Sequence, residues 1–381
     1  MKVTITRNGK FAILNLPCSQ PAMEKAQSEC DVTDVTDTSF RIVHINSSWG
    51  ELHRLEGQTV DLDHLNLFAR TLDSLAESEY EAFSAGVYAR NVNVLRDMIN
   101  LSLSNSIFTV VKEGETLRDI GYRRYMDTHG AISEEERKNT DFDAIAKEML
   151  DTVPGTATPY GTVYETGDPV VDFFDGVHIP AFIDQDFVYS LYLQKDGAKE
   201  YLMLPVARGA VDKALKRLGA SDPHECTIKY DMCDSNSSER LDDIVFSDEN
   251  ADIYDVNRMC RSISKMSKEE YVKFAAVAEY MQTRSKVDGV KDLAAISEQL
   301  DSFTFAPGVT DEYELGRWLI QESDRYSYDP DLDDYYNYAG FGSDTKYYEI
   351  GFFVEAGYVG NTYGVRFDEL LGHNSGMGGM Q

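Results

Sequence analysis

The sequence predicts an α+β fold arranged as two tandem units, each with small α/β modules flanking a helical middle. Three observations carry this expectation. The chain has 381 residues, 42% of them hydrophobic and 11% aromatic, which is enough for folded cores and longer than one core usually serves. A hairpin signature at the start of the chain returns near its midpoint. A helical block follows each hairpin at nearly constant offset, so one unit is written twice.

The elements follow in order. Residues 1 to 17, ending TRNGKFAILNLP, align without a gap with 189 to 205, ending QKDGAKEYLMLP. Each copy runs from a β-alternating stretch through Asn8-Gly9 or Asp196-Gly197 into a second stretch closing on Leu16-Pro17 or Leu204-Pro205. Asn-Gly and Asp-Gly accept the positive φ angles of a type I′ turn, so both copies predict the same hairpin. A helix is expected near Gln20 to Ser28 and near Arg208 to Leu218, then a further strand. Leu65 to Phe83 align with Val256 to Phe274, pairing Asn66 with Asn257, Arg70 with Arg261, Glu79 with Glu270, Tyr80 with Tyr271 and Phe83 with Phe274. Their apolar positions recur every three to four residues, the period of an amphipathic helix. A break before Ser78-Glu79 separates two helices, and Ser267 to Glu270 reads as a capping box. Asp97, Phe108 and Gly121 then find Asp292, Phe303 and Gly316, and GTVYETG (161–167) resembles GFFVEAG (351–357). These matches divide the chain into a first unit (1–167), a connecting segment (168–188), a second unit (189–371) and a Gly-rich tail (372–381) expected to be disordered.

Charge is the second theme, because the formal net charge is −30. Disordered acidic tails reach such imbalance by abandoning hydrophobic residues; this chain keeps them, so the charge belongs to a folded surface. The densest runs are 231–255 and 322–355. Asp234, Glu239, Asp242, Asp243, Asp248, Glu249, Asp252 and Asp255 stand in the first, and Glu322, Asp324, Asp329, Asp331, Asp333, Asp334, Asp344 and Glu349 in the second. Smaller clusters lie at Glu134 to Glu136 and along Asp168, Asp172, Asp175, Asp184 and Asp186. Asp329, Asp331 and Asp333 have the spacing that opens a calcium loop, but Asp334 stands where that loop needs Gly and Gly340 where it needs Glu. Tyr335, Tyr336, Tyr338 and Phe341 beside them read as a half-buried strand or packed turn. Duplex DNA carries one charge per ~1.7 Å of axis, so the surplus equals the charge of roughly 15 base pairs. Direct binding of nucleic acid or of an anionic membrane is not expected, since no Lys/Arg-rich stripe is visible.

Catalytic patterns are missing from the sequence. The histidines His44, His53, His64, His129, His178, His224 and His373 form no H-E-x-x-H array, and no nucleophile elbow, Walker loop or dinucleotide fingerprint occurs. His224, Cys226 and Cys233 lack the close paired spacing of zinc ligands. The odd number of scattered cysteines reads as reduced thiols. With no apolar leader at Met1 to Phe11 and no apolar run of about 20 residues, a cytoplasmic protein without cofactor or metal, and not an enzyme, is expected. Trp49 and Trp318 read as packing residues.

Three stretches carry a family resemblance: YDVNRMCRSISKMSKEEYVKFAAVAEYM from Tyr254, DEYELGRWLIQES from Asp311, and YYNYAGFGSDTKYYEIGFFVEAGYVG from Tyr335, with Tyr335, Tyr338 and Gly342 in a Y-x-x-Y-x-x-x-G pattern. Together they resemble the ArdA antirestriction proteins of conjugative plasmids and transposons. The second unit matches best; the first keeps NLFARTLDSLAESEYEAF and LRDIGYRRYMD but lacks the Tyr-rich segment. The resemblance implies that the tandem units are elongated and that the protein is a DNA mimic occupying the DNA-binding groove of type I restriction-modification enzymes. The sixteen acids named above from the two dense runs are then the candidate partner-binding residues. It further implies either a monomeric pseudo-dimer, in which one polypeptide replaces a family dimer, or a homodimer. An acidic inhibitor of another DNA-binding defence protein or nuclease is the alternative reading.

Overall fold

Asn8 and Gly9 both adopt positive φ, 52° and 75°, as do Asp196 and Gly197 at 51° and 89°, so each pair makes the turn that its chemistry favours. The computed structural model of the chain describes residues 1–362 apart from 235–237, 284–286, 288 and 324. The end of the expected second unit and the tail 372–381, with His373, lie outside the described residues. The fold is α+β. Two compact units are present, one of residues 1–184 with 198–201 and 212–219, the other of 185–197, 202–211 and 220 onward.

The first unit opens with hairpin β1 (Lys2–Arg7) and β2 (Lys10–Asn15), then α1 (Gln20–Glu29), β3 (Ser39–Asn46), a 3-10 turn (Gly50–Leu55) and β4 (Thr59–Asp61). The sheet order is β2-β1-β3-β4. Val3 and Ile5 of β1 and Phe40 and Ile42 of β3 point to the same face and are fully buried or nearly so, as period-two alternation requires. The helical middle is α2 (Leu62–Asp73), α3 (Glu77–Ala89) and α4 (Leu95–Leu103). Leu65, Phe68 and Leu72 of α2 and Phe83 and Val87 of α3 continue the core of the sheet. The C-terminal part is β5 (Phe108–Val111), α5 (Leu117–His129), α6 (Glu134–Asn139), α7 (Phe142–Thr152), β6 (Thr156–Thr158) and β7 (Gly161–Glu165), with sheet order β5-β7-β6. Ile120, Ala146 and Met149 form its own small core under α5 and α7.

The expected connecting segment is packed onto the first unit as far as Asp184. Phe174 is buried, its N–H donates to Asn100 Oδ1 at 2.7 Å, and its carbonyl accepts from Asn100 Nδ2 at 2.9 Å. Arg70 of α2 donates through Nε and Nη2 to Asp184. Inside the same unit, Asp63 accepts from Lys213 Nζ and Arg217 Nη1, both at 2.7 Å. Burial opposes the charge of Asp63, but these two cations outweigh it and hold the carboxyl below its ordinary range.

The remaining elements run β8 (Tyr189–Lys195), β9 (Ala198–Leu204), α8 (Arg208–Arg217), β10 (Thr227–Cys233), α9 (Glu239–Ser247), α10 (Ile253–Ile263), α11 (Lys268–Thr283), α12 (Val290–Ser297), β11 (Phe303–Pro307), α13 (Glu312–Gln321), α14 (Tyr338–Tyr348), β12 (Phe352–Val354) and β13 (Gly357–Asn361). Their sheets are ordered β10-β8-β9 and β11-β13-β12. Ser267 and Glu270 form the expected capping box at α11: Glu270 accepts from Ser267 N–H at 2.7 Å, and Ser267 Oγ accepts from Glu270 N–H at 3.2 Å.

Details recur between the halves. Asn66 brackets Cys18, accepting its N–H at 2.8 Å and donating to its carbonyl at 3.0 Å; Asn257 brackets Val206 in the same way at 2.8 and 2.9 Å. Gly121 of α5 lets the Phe142 carbonyl of α7 sit where a Cβ would lie, and Gly316 of α13 does so for the Tyr338 carbonyl of α14.

Two expectations need correction. GTVYETG holds β7, the middle strand of its sheet, whereas GFFVEAG holds β12, an edge strand; the middle strand of that sheet is β13. Both arms of a hairpin offer short apolar runs bounded by Gly, so text alone cannot tell edge from centre. Of the two readings of the Tyr-rich stretch, the turn holds and the strand does not: it is a 3-10 turn (Pro330–Tyr335) followed by α14. Tyr338 is buried, Tyr336 and Phe341 are half-buried, and Tyr335 is 84% exposed.

Candidate partner-binding surface

The acids of 231–255 divide by the geometry of their helices. On α9, Leu241, Ile244 and Val245 face inward and leave Glu239 and Asp243, one turn apart, exposed on the opposite side. Asp242 is carried inward with its apolar neighbours. It is 9% exposed and accepts the buried Tyr189 hydroxyl at 2.6 Å, which corrects its assignment as a surface acid. Asp234 and Glu249 are exposed. Asp248, Asp252 and Asp255 are half-buried and hold structure together. Asp248 accepts from Val290 N–H at 2.9 Å at the start of α12, Asp252 caps α10 by accepting from Tyr254 N–H at 2.8 Å, and Asp255 pairs with Arg258 at 3.1 Å.

In the second run Glu322, Asp329, Asp331, Asp334 and Asp344 are exposed, and Asp324 lies outside the described residues. Asp329 caps the 3-10 turn by accepting from Asp331 N–H at 3.0 Å. Asp333 is half-buried and accepts from the Tyr338 hydroxyl at 2.6 Å, the Tyr328 hydroxyl at 2.8 Å and Gln321 Nε2 at 2.9 Å. These bonds, Tyr338's first, hold its carboxyl below the usual range. Three donors, from α13, α14 and the loop before the turn, identify Asp333 as the acceptor that fixes this turn, where the sequence offered half of a calcium loop. Glu349 needs the second correction. It is 6% exposed and accepts from Arg325 Nη1 at 2.7 Å, Thr304 Oγ1 at 2.9 Å and the Tyr358 hydroxyl at 3.1 Å. A buried carboxylate persists because such partners satisfy it.

Cations are scarce, and many are already engaged. Arg240 pairs with Glu279 and Glu355, Arg325 with Glu349, Lys346 with Glu312 and Lys195 with Glu225. In the first unit Arg7 pairs with Asp37, Arg70 with Asp184, Arg90 with Glu165 and Lys112 with Glu81. Each pairing consumes one positive charge, so the surplus of 66 acidic over 36 basic residues remains on carboxylates such as Glu239, Asp243, Asp331 and Asp334. Screening at physiological salt acts over about 8 Å, so neighbouring exposed carboxylates still add to one field.

The sequence reading passed over the exposed tyrosines. Tyr347 and Tyr348 at the end of α14 are 82% and 74% exposed, in the same stretch as Asp344. A doublet on a helix turns about 100° per residue, so two adjacent tyrosines cannot both face one core. That spacing was the available signal. Tyrosine carries large contact area at low entropic cost and is enriched where partners bind.

A further group lies on the first unit, where His44, His53 and Glu56 bring three ligand-type atoms within 4.8 Å of one another. Among the described residues no helix is long and apolar enough to cross a membrane. All five cysteines are free thiols.

Comparison with known proteins bears on the same region. No curated protein matches the chain. The family model described as Antirestriction protein (ArdA) matches residues 198–360, less than half of the chain. The matched stretch contains both dense acidic runs, the exposed tyrosines and the α13–α14 crossing, and it is the half in which the family motifs were strongest. Residues 198–360 of this chain are therefore similar to the ArdA antirestriction family.

Proposed function

We propose that this chain is an antirestriction protein acting as a DNA mimic: its exposed carboxylates take the place of DNA phosphates in the DNA-binding groove of a type I restriction-modification enzyme. The observation that carries the reading is the coincidence, within residues 198–360, of a match to the ArdA antirestriction family with exposed acids set on regular elements. A groove built to hold DNA presents Lys and Arg to a regular array of anions. Glu239 and Asp243 on α9, and Asp331, Asp334 and Asp344 around α14, are anions whose backbone is fixed by helices and caps, so little ordering is required on binding. Asp242 and Glu349 support the array from inside and do not belong to it.

The recurring Asn brackets, glycine crossings and sheet orders support a further part of the proposal, that the chain is a tandem pair of one unit. A solution mass of one chain fits a pseudo-dimer; a mass of two chains fits a homodimer and contradicts the simplest pseudo-dimer.

The test is an endonuclease assay with a purified type I enzyme and increasing amounts of the chain. Inhibition relieved by added DNA is expected. If a type I enzyme is untouched while another DNA-binding defence nuclease is inhibited, the alternative reading replaces this one.

A further inference from the structure

We propose that His44, His53 and Glu56 form a binding site for a single borderline divalent metal ion of the zinc class, on the first unit and separate from the acidic surface. His44 is on β3, His53 is in the 3-10 turn Gly50–Leu55, and Glu56 caps the end of that turn. Glu56 Oε1 lies 2.9 Å from His44 Nδ1 and 2.8 Å from His53 Nδ1. The same oxygen accepts from Ile45 N–H at 2.7 Å, which fixes the carboxylate against β3.

The convergence of three ligand atoms within 4.8 Å of one another carries the argument, and the surroundings of His53 fit it. His53 Nε2 is 3.2 Å from the Ser47 carbonyl oxygen, a group that only accepts, so Nε2 bears the proton. Whenever His53 is neutral, the lone pair of Nδ1 faces the carboxylate of Glu56, and His44 Nδ1 converges on the same oxygen. Two facing acceptors repel unless a second proton or a cation lies between them. An imidazole whose far nitrogen donates to a backbone carbonyl, aimed at a carboxylate that is itself hydrogen-bonded, is the outer-shell arrangement of metal-binding histidines.

The donor set selects the ion. Two imidazole nitrogens with one carboxylate oxygen suit zinc and its neighbours, whereas calcium and magnesium prefer oxygens throughout. Zinc bonds of about 2.0–2.2 Å in tetrahedral geometry separate the ligand atoms by about 3.4 Å. The two Glu56 contacts, at 2.8–2.9 Å, reach that by opening about half an ångström, and the histidine side chains, 60% and 37% exposed, have room to adjust. Three protein ligands leave one position for water. The ion ties β3 to the 3-10 turn that follows it.

An acidic chain attracts cations loosely everywhere, so the test must separate a site from an atmosphere. The full chain is titrated with zinc in excess magnesium, following melting temperature and the imidazole NMR signals, with cobalt as a spectroscopic substitute. One equivalent of zinc is expected to raise the melting temperature and shift the His44 and His53 resonances, with a cobalt spectrum free of thiolate charge-transfer bands. His44→Ala and Glu56→Gln are each expected to weaken binding at least ~10-fold, whereas Asp331→Asn leaves it unchanged. Should a variant fail to fold, the unmodified chain decides through its imidazole signals. Zinc uptake that ignores His44→Ala, leaves both imidazoles unshifted, or yields thiolate bands overturns the proposal.

Discussion

Asp242 and Asp243 are neighbours in sequence with opposite roles. Asp242→Ala leaves the buried Tyr189 hydroxyl without its carboxylate acceptor and is expected to cost about 1–3 kcal/mol in urea unfolding. Asp243→Asn, on the exposed side of α9, is expected to stay within about 0.5 kcal/mol of the parent while weakening inhibition. Asp127 offers a pH test. Burial raises its carboxyl to about 6, outweighing the Thr109 hydrogen bond and the nearby Arg123 and Arg124. The folded chain therefore holds a proton that the unfolded chain releases near pH 4. The associated stabilisation is complete below about pH 4 and is lost as pH rises through about 6. Asp127→Asn is expected to remove this contribution, so the unfolding midpoints of variant and parent diverge between pH 4 and 7, with the variant more stable at neutral pH. A midpoint difference independent of pH in that window contradicts the assignment.

At the scale of elements, the α13–α14 crossing depends on Gly316 lying against the Tyr338 carbonyl. Gly316→Ala is expected to force the helices apart and cost about 3 kcal/mol or more in thermal or urea unfolding. The elements most legible in the sequence were those with local chemistry: both hairpins from Asn8-Gly9 and Asp196-Gly197, the α2–α3 break, and the Ser267–Glu270 cap. Legibility fell where an element depends on distant partners. The strand that holds the middle place in its sheet as β7 does is β13, which only strand pairing reveals, and α14 was hidden because Tyr335 to Phe341 show no clean helical period before Tyr338 enters the core. The acidic runs were visible as composition, but periodicity on α9 alone separates Glu239 and Asp243 from Asp242. Glu349 was beyond reach, since its partners Thr304, Arg325 and Tyr358 come from other parts of the chain.

At the scale of the whole molecule, a net charge of −30 acts on folding and on binding with opposite sign. Salt screens the self-repulsion of the folded chain and weakens attraction to a basic groove. Raising salt from about 0.05 to 0.5 M is therefore expected to increase the melting temperature while decreasing the affinity for a restriction enzyme. The central claim is tested most directly by competition: inhibition of a type I enzyme by the chain, measured against DNA, for the parent and for stepwise neutralisation of Glu239, Asp243, Asp331, Asp334 and Asp344. The account predicts inhibition competitive with DNA that falls by a modest factor with each charge removed, in a protein that remains folded. Full inhibition by the variant lacking all five carboxylates, or complete loss on removing any one of them, contradicts it.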